Sequence, residues 1–322
     1  MRRKAFFIFL LLTVLCLGYE CTIGYYVYLR YVDDSQPSDV LNVSSYRPNE
    51  KGVSDGDLIR HRFDLRRQHV KQLCSRDLYR KNTTLKFNLI VVDEYKLMYC
   101  SVPKTGCTNW KRLFLVLRGR YNSTDDIEQS KAHQRFKTLA DVTEAEAEKI
   151  LKTYTKLFFL REPFGRIVSA YRNKFEDNSH NAMAFRKPFV SSIMKMYREN
   201  NTVDETLMKG NLSVTFQEFV QYLGDNRNSL SGLPEEHWRE TYRLCSPCEI
   251  DYDYIGHFDT LFEDSKFILK ALNIAIDFPV STNPTNSSHE YILQEYYKQI
   301  NLTEIERIKR RYRVDLLLYD SA

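Results

Sequence analysis

The pattern of apolar and polar residues predicts a strand, a tight loop and a helix within Tyr95–Leu117. Leu97–Tyr99 carry the apolar and aromatic side chains that favour a strand. Pro103 should end that strand, because proline has no N–H to donate to a neighbouring strand. The helix that follows has four apolar residues at the i, i+3, i+4, i+7 spacing of a buried face, namely Trp110, Leu113, Phe114 and Leu117.

A second strand–helix unit is predicted further along the chain. Thr155–Leu160 is a mostly apolar run, as in a parallel strand that is buried on both faces. Pro163 suits the first turn of the next helix, and Thr143–Leu151 before the strand has a helical pattern with Thr143 as its cap. Because a strand, a helix and a parallel strand in this order imply a right-handed crossover, both strands are expected in one α/β sheet.

The remaining pattern predicts further helices and one more strand. Tyr252–Leu261 is predicted as a strand, a turn at Gly256 and the start of a helix, and Phe87–Val92 as a short strand or a loop. The polar stretch Asn178–Glu235 is a candidate acceptor-binding region with some helix. Other helices are predicted over Asp57–Lys81, Phe216–Leu223, Asp259–Leu272, Tyr291–Ile300 and Thr303–Arg313.

The N-terminal residues indicate a membrane anchor. Met1–Lys4 is basic, and Ala5–Leu29 is mostly apolar apart from Glu20, which is long enough to cross a bilayer. A cleaved signal peptide is the alternative; no clear A-x-A site follows, so we favour an anchor whose basic end stays in the cytosol. The predicted limits are a cytoplasmic tail over 1–4, a transmembrane helix over 5–30, a stem over 31–70 and a luminal domain over 71–322.

Asparagine and cysteine usage agree with a secretory-pathway protein. Sequons of the form N-x-[ST] start at Asn42, Asn82, Asn122, Asn200, Asn211, Asn286 and Asn301. The predicted luminal part has an odd number of cysteines, so at least one thiol is free or pairs between chains. Cys245-Ser-Pro-Cys248 has redox spacing, but the strand-like run follows it rather than precedes it, so we favour structural disulfides. A zinc site would need a second ligand pair, and none is evident in the sequence.

The charge balance narrows the class of ligand. The chain has 47 Lys and Arg against 42 Asp and Glu, a net charge of +5. This mild excess suits an anionic ligand or polymer and is too weak to indicate nucleic-acid binding.

The loop after the first strand has the chemistry of an anion site. Gly106 permits a loop backbone that other residues would resist, and Thr108 or Asn109 can cap the helix. Free N–H groups at a helix start, with Lys104 beside them, suit a phosphate or sulfate. The Walker pattern is absent, because the lysine here comes before the glycine.

The second unit adds another candidate anion site. Arg161 follows the strand directly, and Ser169 lies one helical turn beyond Gly165 on the side of the helix entrance. Ligands of open α/β sheets bind at the carboxyl ends of the strands. Two separate anion sites on one edge suit a nucleotide with phosphates at both ends.

These motifs resemble those of a known family. Val102–Arg112 resembles the 5′-phosphosulfate loop of Golgi carbohydrate sulfotransferases, and Phe159–Phe175 resembles their 3′-phosphate motif. The His-Trp pair, Leu-Cys-Ser-Pro-Cys and Tyr252–Leu261 are similar to the branch that contains chondroitin and dermatan 4-O-sulfotransferases. That branch also contains enzymes acting on terminal GalNAc and on glucuronic acid. One departure is Thr105-Gly106, where the branch often has two small apolar residues.

The resemblance implies a fold, a reaction and a set of site residues. The fold would be α/β, a P-loop-like three-layer sandwich with a central parallel sheet, preceded by a single transmembrane helix. The reaction would transfer a sulfuryl group from 3′-phosphoadenosine 5′-phosphosulfate (PAPS) to a sugar hydroxyl, without a metal. Arg161 and Ser169 would hold the 3′-phosphate, and Lys104 the leaving 5′-phosphate. The other donor-binding residues would be Pro103, Thr105, Gly106, Cys107, Thr108, Asn109 and Trp110.

A hydroxyl acceptor also needs a general base. His133 is the first candidate, because its loop can reach the same edge and related glycosaminoglycan sulfotransferases have a histidine in a comparable place. His237 is the second, since it matches a histidine common in the branch, although it could instead support the fold. His257 is more typical of a structural residue.

The expected setting and its alternatives follow from the same resemblance. The protein is expected in the Golgi membrane as a single-pass type II protein with a luminal catalytic domain and a glycan or glycosaminoglycan acceptor. No nucleic acid is expected as a partner, and a homodimer is left open. Two other classes stay open: a luminal nucleotide-dependent kinase, which would want acidic magnesium ligands near the loop, and a catalytically dead glycan-binding protein, which should tolerate loss of Lys104.

Overall fold

The structure is a computed structural model that describes residues 54–76, 86–198, 214–225, 235–279 and 289–320. The predicted cytoplasmic tail, transmembrane helix and most of the predicted stem lie outside these residues. Within them, no helix has both the length and the apolar character needed to cross a membrane. The domain limits and the anchor therefore stay predictions.

A four-stranded mixed sheet forms the centre of the fold. Its strands are β1 (Leu89–Val92), β2 (Leu97–Cys100), β3 (Thr155–Leu160) and β4 (Tyr254–His257), in that spatial order. β2, β3 and β4 run parallel, whereas β1 pairs antiparallel with β2. The prediction of a parallel sheet was therefore wrong for β1. The turn that reverses the chain before β2 is tight and ends with Lys96 in a left-handed conformation (φ 47°).

Twelve α-helices in the described residues surround this sheet. They are α1 (Asp55–Cys74), α2 (Cys107–Leu117), α3 (Gln129–Ala132), α4 (Glu144–Thr153), α5 (Pro163–Tyr171), α6 (His180–Tyr197), α7 (Phe216–Gly224), α8 (Thr241–Cys245), α9 (Leu261–Ala271), α10 (Glu290–Tyr297), α11 (Leu302–Arg311) and α12 (Arg313–Tyr319). The predicted helices are confirmed, most with small shifts of their ends. The helix predicted over Asp57–Lys81 ends at Cys74, and residues 77–81 of that prediction lie outside the described residues. Thr143 caps α4 as predicted, in a reciprocal capping box with Glu146.

Helices cover both faces of the sheet, as buried parallel strands require. On one face, Tyr99 and Phe159 pack with residues of α2 and α9. On the other face, Met98 and Phe158 pack with residues of α1, α4, α8 and α12. The alternation of neighbouring strand residues between the two clusters confirms a layered α/β fold. A third apolar cluster beside the sheet joins α5, α6, α7, α10 and α11.

The N-terminal helix α1 is an integral part of the packed domain, although the predicted limits place most of it in the stem. Arg66 is buried, and its guanidinium contacts the Asp264 carboxylate at 2.7 Å. Asp264 also accepts hydrogen bonds from the Thr260 hydroxyl at 2.7 Å and from the backbone N–H of His257 at 3.1 Å. A buried charge is tolerated when it is paired in this way.

Two disulfides tie separate parts of the chain to the domain. Cys74 at the end of α1 pairs with Cys248, and Cys100 at the end of β2 pairs with Cys245. Each cysteine of the C-x-x-C motif therefore pairs with a distant partner, which confirms the structural role and excludes a redox pair within the motif. Cys107 is the free cysteine of the described residues.

Two local predictions were wrong. The helix after the loop begins at Cys107 with Gly106 as its N-cap, so neither Thr108 nor Asn109 caps it. Gly256 lies inside β4 rather than in a turn. A Cβ at Gly256 would lie 2.2 Å from the Phe159 ring, so the absence of a side chain allows that ring to pack across the strand.

Candidate active site

The loop between β2 and α2 has an unusual backbone conformation. Lys104 and Gly106 both have positive φ, at 72° and 85°. A Cβ on Gly106 would lie 2.4 Å from Leu261 Cδ2, so glycine is required here by space as well as by conformation. Helix α2 begins at Cys107, directly after the loop, and the N–H groups of a first helical turn point out of the helix start. That of Asn109 donates to the Gly106 carbonyl at 3.1 Å. Those N–H groups, together with the positive end of the helix dipole, favour an anion.

Side chains from the second unit hold this loop in place. The Arg161 guanidinium donates to the backbone carbonyl of Lys104 at 2.9 Å, and Arg166 Nε donates to that of Pro103 at 3.1 Å. Within the loop, the Thr105 hydroxyl donates to the Val102 carbonyl at 2.9 Å. The segment after β3 is therefore hydrogen-bonded to the loop after β2. These bonds hold the backbone of Lys104 in its left-handed conformation.

Arg166 joins the loop to a third segment and was missed by sequence reasoning. It is buried, and its other nitrogens donate to the carbonyls of Arg239 at 2.6 Å and Glu236 at 3.1 Å. Both acceptors flank His237, so one guanidinium sets the position of the loop relative to that histidine. The only sequence signal was a charged residue inside an otherwise apolar helix.

The Lys104 side chain carries an uncompensated charge. Burial and the nearby Arg161 guanidinium are the main causes that lower the pKa of Lys104 to about 8. Lys174 and Arg166 lower it further. Among the described residues, the Lys104 ammonium has neither a hydrogen-bond nor an ion-pair partner. A partly buried cation among other cations is unfavourable unless an anion joins it.

The second predicted anion site is more enclosed. Arg161 is 3% exposed and Ser169 is 1% exposed. The Arg161 guanidinium lies 4.1 Å from the centre of the Phe258 ring, and burial lowers its pKa to about 10. Glu162 caps α5 by accepting from the N–H groups of Phe164 and Gly165, and burial raises its pKa to about 7.

His133 lies at the end of α3 and faces the loop. Its Nε2 is 3.3 Å from the Thr108 hydroxyl. Partial loss of hydration, with the positive charges of Lys111, His237 and Lys174, lowers the pKa of His133 to about 4. The imidazole is therefore neutral at pH 7 and has a nitrogen able to accept a proton.

His237 approaches the same place from the segment before α8. Its Nδ1 is 2.7 Å from the Glu235 carboxylate, and its ring packs edge-on against Phe185 at 5.2 Å. Burial lowers the pKa of His237, whereas Glu235 acts to raise it. A carboxylate on Nδ1 fixes the tautomer and leaves Nε2 as the acceptor.

Glu235, Glu236 and His237 also have ligating atoms within 4.8 Å of one another, a spacing compatible with a metal ion. Two of these groups bond to each other, and Glu236 accepts from the Asn88 amide at 3.3 Å. The cluster is thus organised as a hydrogen-bonded group.

The remaining predicted donor residues support the loop from inside. Trp110 is fully buried and stacks on Tyr99 with ring centres 5.7 Å apart. The Asn109 amide donates to the Pro279 carbonyl at 3.0 Å, and Cys107 is buried. The structure thus brings Thr108 next to His133. Arg166 links the loop that carries Lys104 to the segment that carries His237. Asn109 and Trp110 support the start of α2.

Comparison with known proteins agrees with this geometry. A family model described as "Sulfotransferase family" matches residues 87–320 of the chain. The chain belongs to the sulfotransferase family. Membership implies PAPS as the sulfuryl donor, and the matched range contains both predicted anion sites and both candidate histidines.

Individual relatives extend the similarity over most of the chain. Carbohydrate sulfotransferase 11 of Rattus norvegicus is 35% identical over 287 residues, covering 85% of this chain and 79% of the relative. Carbohydrate sulfotransferase 10 of Gallus gallus is 32% identical, covering 88% and 82%. Carbohydrate sulfotransferase 8 of Homo sapiens is 33% identical, covering 88% and 68%. No solved structure matches this sulfotransferase.

Proposed function

We propose that this sulfotransferase transfers a sulfuryl group from PAPS to a sugar hydroxyl, the 4-position of GalNAc in chondroitin- or dermatan-type glycans. The observation that carries the transfer chemistry is the Lys104 ammonium, which has no hydrogen-bond or ion-pair partner among the described residues and lies in the loop that leads into α2. The names of the relatives support a carbohydrate acceptor.

The residues of the loop fit the phosphosulfate end of the donor. An unpaired ammonium, a hydroxyl at Thr108 and free helical N–H groups are all donors, which is the chemistry that a phosphate requires. Arg161 and Ser169 would hold the 3′-phosphate from the adjoining strand. Since Arg161 also bonds the Lys104 carbonyl, occupation of one site would steady the other.

The proposed reaction is an in-line displacement at sulfur. The acceptor oxygen forms a bond to sulfur while the bond from sulfur to the bridging oxygen of the 5′-phosphate breaks. Lys104 neutralises the charge that develops on that bridging oxygen, which is electrostatic stabilisation of the transition state. A histidine takes the hydroxyl proton.

His133 is the first candidate for that histidine. It is neutral at pH 7, is exposed and lies next to Thr108 in the first turn of α2. His237 is the alternative, because Glu235 orients its ring and leaves Nε2 free to accept. Either histidine would become more basic beside an anionic donor, since negative charge favours imidazolium.

Other acceptors and settings belong to the same proposal. Terminal GalNAc on N-glycans and glucuronic acid are the alternative acceptors, and a luminal kinase is the alternative reaction. We place the enzyme in the Golgi membrane as a type II protein, supported by the N-terminal apolar segment, the sequons and the two disulfides typical of an oxidising compartment.

A labelled-donor assay on the full chain tests the proposal. Acceptors would be chondroitin, dermatan, a terminal-GalNAc glycan and a glucuronic-acid glycan, with ATP as a competing donor type. Lys104→Ala should lower transfer by about 100- to 1000-fold, and His133→Ala by about 100-fold or more. Unchanged transfer in Lys104→Ala would refute the mechanism. Full activity in His133→Ala, with loss in His237→Ala, would assign the base to His237.

A further inference from the structure

Lys174 is a second lysine of the site to which no role has been given. It lies in a π-helical turn, Arg172–Glu176, that follows α5 directly. Turns of this kind are rare and occur frequently at functional sites. The turn buries Phe175 in the core beside α7 and leaves Lys174 half-buried.

The Lys174 side chain is held by an aromatic ring rather than by a carboxylate. Its ammonium lies 4.1 Å from the centre of the Phe185 ring, and the same ring packs against His237. In the described part of the chain, the ammonium has no hydrogen bond or ion pair. A cation–π contact keeps the charge and fixes the position.

Lys174 therefore lies beside His237, because the Phe185 ring contacts both side chains. Its positive charge also lowers the pKa of Lys104, of His133 and of His237. Burial lowers the pKa of Lys174 itself, and Glu235, Glu236 and Asp177 oppose that shift. Those carboxylates partly offset the positive charge around Lys174, but none of them forms an ion pair with it.

Among the described residues, neither the Lys104 nor the Lys174 ammonium has a hydrogen-bond or ion-pair partner, and the charge of Lys174 lowers the pKa of Lys104. An anion that contacts both groups would remove this repulsion. The proposed reaction supplies such a group at this point: Lys104 contacts the bridging oxygen, a histidine contacts the acceptor hydroxyl, and the sulfuryl group passes between the two. We propose that Lys174 binds the non-bridging oxygens of the sulfuryl group of PAPS. This inference rests on the proposed function.

The role differs from two others that a lysine could have here. A lysine that binds the 5′-phosphate would contribute to the binding of PAPS and of the product, 3′-phosphoadenosine 5′-phosphate, alike. A lysine that binds an acidic group on the acceptor would contribute to neither. A lysine on the sulfuryl oxygens contributes to PAPS alone, because the product lacks that group.

Equilibrium binding of both nucleotides to the full chain separates these cases. In Lys174→Met the stem length and the packing on Phe185 are kept. We expect PAPS affinity to fall about tenfold or more, as for a lost hydrogen bond to a charged group, with product affinity within about twofold of wild type. Lys187→Met, an exposed lysine on α6, is the matched control and should change neither affinity.

Two results would overturn the inference. Equal losses for both nucleotides would assign Lys174 to the phosphate. Unchanged nucleotide binding with a raised KM for the acceptor would assign it to the acceptor. A second variant, Lys174→Gln, and the thermal midpoint of each protein show whether a loss of affinity comes from a loss of folding. Wild-type protein that binds neither nucleotide would refute the proposed function itself, which is a distinguishable outcome.

Discussion

The cationic residues at the two strand ends of the candidate site differ in their contacts. After β2, the Lys104 ammonium has no hydrogen-bond or ion-pair partner within the described part of the chain, and its backbone is in a left-handed conformation. After β3, the Arg161 guanidinium is engaged by the Lys104 carbonyl and the Phe258 ring, and it is almost fully enclosed. In the proposed reaction, the first end would stabilise the charge that develops on the leaving group, whereas the second end holds the backbone of the first.

The choice of residue at each end fits this difference. A guanidinium offers five N–H donors in a rigid plane and keeps its charge when it is buried. It can therefore bond a carbonyl and lie over an aromatic ring while it stays charged. A lysine has one compact ammonium whose pKa shifts readily on burial. An unpaired lysine gains most from an arriving anion, and it is also the more sensitive to pH.

Replacing the unpaired cation should have the largest effect on catalysis. In Lys104→Met we expect kcat/KM to fall by about 1000-fold, because the leaving phosphate loses its nearest positive charge. Stability should not fall. The folded-state pKa of about 8 lies below the unfolded value of 10.5, so the ammonium opposes folding at neutral pH.

Thermal unfolding across pH provides the check. Wild-type stability should rise as pH increases from about 8 to about 10.5, since the unfolded state there holds more protons. Lys104→Met should lack that increment. A variant that unfolds more easily at pH 7 would show that the lysine is structural and would break the contrast between the two strand ends.

Replacing the engaged cation should affect both stability and donor selection. In Arg161→Met the Lys104 carbonyl loses its donor, and a buried acceptor left unsatisfied costs about 1–3 kcal/mol. We expect transfer from PAPS to fall by about 10- to 100-fold, as for one lost charged hydrogen bond. Transfer from adenosine 5′-phosphosulfate, which lacks the 3′-phosphate, should change less. Equal losses with the two donors would remove Arg161 from the 3′-phosphate site.

A pH profile measures how strongly the two ends are coupled. In the free enzyme, kcat/KM for PAPS should decrease as pH rises through about 8, where Lys104 loses its proton. Arg161→Met should move this limb to higher pH, because Arg161 is the largest electrostatic cause of the low pKa. Lys174→Met, which removes a smaller contribution, should move it less. If the decrease of kcat/KM stayed at the same pH in Arg161→Met, the charges of Lys104 and Arg161 would not interact.

Local patterns explain why the second strand end could be predicted well from sequence. The apolar run of β3 and the proline after it need no distant information, and both were confirmed. β1 was harder, because four apolar residues, Leu89–Val92, fit a parallel or an antiparallel neighbour equally. Its direction follows from the tight turn before β2, which includes Lys96 in a left-handed conformation.

The contacts that organise the site could not be predicted from spacing. Arg166 bonds carbonyls of Glu236 and Arg239, which lie far away along the chain. Thr108 matched the residue type of a helix cap, but Gly106 occupies that position and the Thr108 hydroxyl faces His133. Both outcomes depend on how separate segments pack, which one sequence does not encode locally.

The smallest predicted effects come from the hydroxyl that each strand end contributes. Thr108→Val removes the 3.3 Å contact to His133 Nε2 and a proposed donor to the 5′-phosphate, while Ser169→Ala removes a hydroxyl that is 1% exposed. Each should weaken PAPS binding by about fivefold, the worth of one hydrogen bond of about 1 kcal/mol.

The two hydroxyl variants should differ in which of the two nucleotides they bind more weakly. Thr108→Val should weaken PAPS and adenosine 5′-phosphosulfate alike, because both nucleotides carry the 5′-phosphosulfate. Ser169→Ala should weaken PAPS alone, because the 3′-phosphate is missing from the other donor. Binding constants for both nucleotides with both variants give a four-way comparison. If Ser169→Ala weakened the binding of both nucleotides equally, Ser169 would not contact the 3′-phosphate. The segment after β3 would then act only by holding the loop between β2 and α2.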